Sequence, residues 1–98
     1  MIFVIATLKT TRKDRSAFLE ACRSCIAETL KEPGCLSYDL HASITNPDTF
    51  VFVERWQDRE ALEAHFKSPH ISVLKDAAGP LIVDQSVEII SPDSVDII

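Results

Sequence analysis

The opening segment Ile2 to Lys9, IFVIATLK, is rich in β-branched and aromatic residues and reads as a strand, yet both of its faces are apolar. Ile2, Val4, Ala6 and Leu8 fall on one side, Phe3 and Ile5 on the other. A strand with no polar face belongs to a sheet that is covered on both sides. In a chain of 98 residues there is material for one core only, so the second cover has to come from elsewhere.

The rest of the chain shows what supplies the first cover. From about Lys13 to Lys31 the apolar period becomes helical, with Phe18, Ala21, Cys22, Cys25, Ile26, Thr29 and Leu30 on one stripe. Thr11 and Asp14 resemble a capping box with a shortened acid, and Pro33-Gly34 stops the helix. Cys35 to Ser43 alternates, with Leu36, Tyr38, Leu40 and Ala42 on one side and Ser37, Asp39 and His41 on the other. Asn46-Pro47-Asp48 is a turn. Thr49 to Gln57 is a third strand, carrying Phe50, Phe52, Glu54 and Trp56 on one face and Val51 and Val53 on the other. Asp58 caps a helix over Arg59 to Lys67, with Ala61, Leu62, His65 and Phe66 inward. Ser68-Pro69 restarts a second short helix that runs to about Ala78. Gly79-Pro80 ends it, and Leu81 to Ile90 is the fourth strand.

The order β-α-β-β-α-β is the split βαβ arrangement of ferredoxin-like α+β folds, a four-stranded antiparallel sheet with helices on one face. One domain over residues 1–98 is expected, with a core to about residue 91 and a tail over 92–98 whose apolar end suggests docking. The helices cannot reach the second face of the sheet. The same face of a second copy can, so a two-fold homodimer is expected.

Charge and composition exclude several functions. Ten Lys and Arg against 15 Asp and Glu give a net charge of −5, which disfavours nucleic acid as a partner. No apolar run approaches the ~20 residues of a membrane span. Met1 enters the first strand with no basic segment, unlike a secretory leader, and three cysteines read as reduced thiols in a cytoplasmic setting. The two glycines, Gly34 and Gly79, both fall at helix ends, so no phosphate loop or dinucleotide fingerprint exists and no cofactor is expected.

Among residues that carry chemistry, Cys22 and Cys25 lie mid-helix on the apolar stripe and read as packing, as does Cys35. His65 and His70 straddle the helix break, so convergence of their rings is not expected. With only Glu54, His41 or Cys35 as a third ligand, no metal site is expected. Glu54 sits on the Phe50-Phe52-Trp56 face and needs a partner there. Arg55 of another copy, a histidine or a backbone donor could serve, making Glu54 a clamp at the dimer seam.

Three stretches together are more specific. They are Glu32-Pro33-Gly34-Cys35-Leu36-Ser37-Tyr38-Asp39-Leu40-His41, then Phe50-Val51-Phe52-Val53-Glu54-Arg55-Trp56, then Ala61-Leu62-Glu63-Ala64-His65-Phe66-Lys67-Ser68-Pro69-His70. They resemble the antibiotic biosynthesis monooxygenase domain family, and within it the small quinol monooxygenase-like proteins, over roughly residues 1–92. The resemblance implies a homodimer with a shared barrel and, in each subunit, a pocket between sheet and helices. It also implies oxidation of small hydroquinone-like or polycyclic aromatics with O₂ and no cofactor. The alternatives are a non-catalytic binding or stress-response module, or an isomerase using Lys9, Arg12 or Lys67 for a phosphate. Haem-degrading relatives have other residues where this chain has Thr7, His65 and Leu74. The polyketide-oxygenating type has Asn at the position of Phe52 but shares Trp56. On this reading His65, then His70, supplies the base, with Trp56 as the third catalytic residue. Phe52, Tyr38, Thr7, Leu62 and Phe66 hold the substrate.

Overall fold

The computed structural model describes residues 1–11 and 13–98; Arg12, one of the cations considered for a phosphate, lies outside the described residues. Along the chain come β1 (Ile2–Thr10), α1 (Arg15–Thr29), β2 (Cys35–Ala42), β3 (Thr49–Trp56), α2 (Arg59–Phe66), α3 (Pro69–Ala78), one 3₁₀ turn (Gly79–Leu81) and β4 (Ile82–Ile90). The strands form one antiparallel sheet in the order β2-β3-β1-β4. This is the ferredoxin-like arrangement, with the second helical segment broken in two at Ser68-Pro69.

The alternation read in β1 and β3 decides which face is the core. Val4, Ala6 and Leu8 of β1 lie opposite Glu54, Phe52 and Phe50 of β3. All six are buried in the core that also holds Phe18 and Cys22 of α1, Leu62 of α2 and Ala78 of α3. On the other face Ile5 pairs with Val53 and Thr7 with Val51, and these stay half-buried. Arg55 lies over the Phe3 ring there, 5.2 Å from its centroid.

Two local expectations fail for identifiable reasons. Asp14 takes the N-cap of α1 with a left-handed backbone (φ 57°) and makes no side-chain cap bond, while the Thr11 hydroxyl donates to the carbonyl of Lys13. A cap oxygen reaches the free N–H groups only from an extended N-cap residue, so the capping box does not form. In β2, Cys35 pairs with Trp56 and Ser37 with Arg55. Two residues therefore oppose one step of β3, and the bulge leaves Leu36 exposed instead of inward beside Tyr38. No helix among the described residues is long and apolar enough to cross a membrane.

Candidate active site

The site is assembled where β3 runs into α2. The Asp58 side chain accepts the N–H of Ala61 at 2.8 Å, starting α2 directly after the strand. Two turns later His65 comes back over Trp56, with ring centroids 4.6 Å apart. Ser68 closes the helix break by donating its hydroxyl to the His65 carbonyl at 2.7 Å. The first turn of α3 then carries His70.

A third residue arrives from the turn after α1. Gly34 has φ 83°, a left-handed value that glycine adopts without penalty, and its carbonyl accepts the Gln57 N–H at 2.8 Å. A Cβ on Gly34 would lie 2.7 Å from Cβ of Ala61. The turn is thus pressed against the start of α2. Glu32, two residues earlier, sends one carboxylate oxygen to both imidazoles, 2.6 Å from Nδ1 of His65 and 2.8 Å from Nε2 of His70.

Burial lowers the pKa of His65, and the Glu32 hydrogen bond and charge pull the other way. The ring is therefore held neutral, with its Nδ1–H on Glu32 and a lone pair left on Nε2. Glu54 is a second titratable group of unusual character. Burial raises its pKa to about 7, against the opposing Trp56 indole N–H, which donates to it at 2.9 Å. Burial above all, then the Glu54 charge, pushes the Tyr38 phenol up, so it stays protonated. The thiols are inert: burial pushes Cys22 up to about 12 and Cys35 to about 11, and Cys25 also upward.

A cavity of about 570 Å³ lies between the sheet and α2–α3, within the usual range for small-molecule sites. Its walls are mostly apolar. Tyr38, Phe52, Glu54, His65 and Phe66 line it, together with Ile71, Leu74 and Lys75 of α3 and the inner side of β4. Other predicted residues fall elsewhere. Trp56 and Leu62 are fully buried behind this wall and do not line it; Trp56 backs the His65 ring. Thr7 faces away, opposite Val51 on the far side of the sheet, because it is odd in the alternation that puts Ala6 and Leu8 inward. His70 opens onto a second cavity between α1 and α3. Neither Lys9 nor Lys67 lines the main cavity.

Glu54 is not placed toward the outer sheet face. It lies on the helix-covered side and is satisfied by Trp56 of its own chain, while Arg55 points to the opposite face. The two histidines do converge, with rings 6.0 Å apart. The residue that joins them is Glu32, which sequence reading passed over as part of a helix stop.

A sheet covered by helices on one side, enclosing an apolar cavity with one carboxylate-bound histidine in its wall, defines a ferredoxin-like α+β enzyme scaffold. Comparison narrows the class. The antibiotic biosynthesis monooxygenase family model matches residues 1–77. The probable quinol monooxygenase YgiN of Escherichia coli (strain K12) is 29% identical over 102 residues, covering 94% of this chain and 98% of that protein. The uncharacterized protein sll1783 of Synechocystis is 32% identical over 69 residues, 70% of this chain but only 47% of that longer protein. Among solved structures, Rv0793 from Mycobacterium tuberculosis superposes with a TM-score of 0.88 at 32% identity, covering 96% of both chains. The chain belongs to the antibiotic biosynthesis monooxygenase family.

Proposed function

We propose that this chain is a cofactor-independent monooxygenase of small hydroquinone-like aromatics, with His65 as the base. The observation that carries this reading is an imidazole in the wall of an apolar cavity, its Nδ1 held 2.6 Å from the Glu32 carboxylate. The resemblance of the whole chain to a protein named as a quinol monooxygenase supports the substrate class.

Triplet O₂ reacts poorly with closed-shell molecules, and without a flavin or metal the substrate must supply the electron. A hydroquinone does so as its anion. Nε2 of His65 accepts the phenolic proton, of pKa ~10, and Glu32 stabilises the resulting imidazolium. The anion passes one electron to O₂, and the radical pair joins as a peroxide on a ring carbon. Loss of water from the protonated peroxide leaves a carbonyl there, so hydroquinone and O₂ become hydroxyquinone and water. Glu54, in the same wall and half-protonated near neutrality, is the group placed to give the peroxide its proton. Phe52 and Tyr38, with centroids 5.1 Å apart, offer a stacking wall for a planar ring.

The reading includes a two-fold dimer through the outer sheet face, where Phe3, Ile5, Val51 and Val53 remain only half-buried. The test is oxygen uptake with a panel of hydroquinones in metal-free buffer. Turnover that falls roughly 10²-fold or more in His65→Ala is expected. Ligand binding without oxygen consumption would instead identify a binding module, and unchanged turnover in His65→Ala would remove the base.

A further inference from the structure

We infer that Glu32, His65 and His70 form a binding site for a divalent transition-metal ion, behind the His65 wall of the substrate cavity and using Nδ1 of His65. Their ligand atoms all lie within 4.8 Å of one another. The three side chains are only 3%, 14% and 18% exposed for His65, Glu32 and His70. Two imidazole nitrogens and one carboxylate are the donor set of open three-ligand sites for zinc and its first-row neighbours. Both ring nitrogens already aim at one point, now held by a single oxygen of Glu32. An ion near that point, with Glu32 turned to coordinate from the side, meets all three donors.

The required movement is small. Bonds of ~2.0–2.1 Å set tetrahedral ligand atoms roughly 3.3 Å apart. The Glu32 contacts of 2.6 and 2.8 Å must therefore open by about 0.5–0.7 Å, and the two nitrogens must draw together from within 4.8 Å. His70 sits in the first turn of α3, directly after the break in the helical run at Ser68. It also provides an entry path, because it lines the cavity of about 560 Å³ between α1 and α3.

Occupancy has a chemical consequence for the neighbouring cavity. An imidazole metallated at Nδ1 carries its remaining proton on Nε2 and cannot accept another there. The loaded protein is then blocked as a base. This consequence rests on the function proposed above; the site itself does not.

The test is titration of the metal-free protein with Co²⁺, read by d–d absorption, and with Zn²⁺, read by calorimetry and by the thermal midpoint. Saturable one-to-one binding that raises Tm is expected, weakened at least 10-fold in His70→Ala and in Glu32→Gln. His70→Ala leaves the core intact, and its own melting curve in metal-free buffer reports whether it folds. No binding at millimolar metal, or equal affinity in native protein and His70→Ala, overturns the site and leaves Glu32 as a hydrogen-bonded clamp. If the ion binds but oxygen uptake on a hydroquinone is unaffected, the blockade fails while the site stands. If no hydroquinone is turned over at all, the proposed reaction fails and the binding result still decides the site.

Discussion

The indole N–H of Trp56 donates to the carboxyl of Glu54, two residues back on the same strand, at 2.9 Å in the floor of the core. The bond helps a carboxyl survive among Phe52, Tyr38 and Val4, but it opposes the burial that raises the Glu54 pKa from 4.5 to about 7. One donor satisfies one oxygen; it does not repay the full cost of removing a charge from water.

The raised value has a definite sign in stability. The folded chain holds the Glu54 proton more tightly than the unfolded chain does. The associated stability is complete below about pH 4.5 and is lost as pH rises through about 7. Glu54→Gln keeps an acceptor for the indole and removes the titration. The variant and the native protein are therefore expected to melt together near pH 4. At pH 8 the variant should be the more stable, on the order of 1–3 kcal/mol. Parallel thermal melts at the two pH values check this, and a constant difference between the proteins refutes it.

Gly34, in the turn after α1, and Gly79, the C-cap of α3, should respond oppositely to alanine. At Gly34 the left-handed backbone and a 2.7 Å approach to Cβ of Ala61 act together, and the obstructing atom belongs to a helix and not to a flexible side-chain end. Gly34→Ala is expected to cost about 2–4 kcal/mol and to pull Glu32 from His65. At Gly79 φ is −50° and an added Cβ meets nothing within 4 Å. Gly79→Ala is expected to be neutral or to stabilise by about 0.4–1 kcal/mol. Denaturant melts of the two variants make the comparison.

Much of this architecture was legible before any coordinates. Period-2 and period-3.6 patterns placed β1, β2, β3, α1 and α2, whereas α3 and β4 were bounded by the turn signals Ser68-Pro69 and Gly79-Pro80, and β4 has no fully buried residue. Leu36 was misplaced because a bulge depends on how two strands pair, which neither strand shows alone. Glu32 was missed for a related reason. It lies 33 residues from His65 in sequence, inside a Glu-Pro-Gly run that reads as a helix stop. The His65–His70 convergence was hidden by the break at Ser68-Pro69, which turns α3 so that its first residues face the end of α2. A histidine on each side of such a break, with an acid before a Pro-Gly turn, is the signal that could have pointed to the cluster.

The cysteine pair offers a check on the core. Cys22 and Cys25 are 0% and 2% exposed, and Cys25 meets the Thr29 hydroxyl at 3.7 Å. Their thiolates are disfavoured by burial. With an aromatic disulfide reagent at pH 8, the native protein should show at most one slow thiol, Cys35, and three after denaturation. Two fast thiols in native protein would mean that α1 is not packed on the sheet.

Glu32 should act through His65 and not on the substrate, and this role separates its variants. Glu32→Gln can still accept the Nδ1 hydrogen bond but cannot stabilise the imidazolium; Glu32→Ala can do neither. For oxygen uptake on a hydroquinone, kcat is expected to fall roughly 10-fold or more in Glu32→Gln and roughly 10²-fold in Glu32→Ala, with KM little changed, because Glu32 does not line the cavity. A structural role alone would lower stability without moving the histidine. Nitrogen chemical shifts of His65 provide the second readout. They should report an Nδ1–H tautomer in the native protein and in Glu32→Gln, and a mixture in Glu32→Ala. If the tautomer is unchanged in Glu32→Ala, the carboxylate does not orient the base.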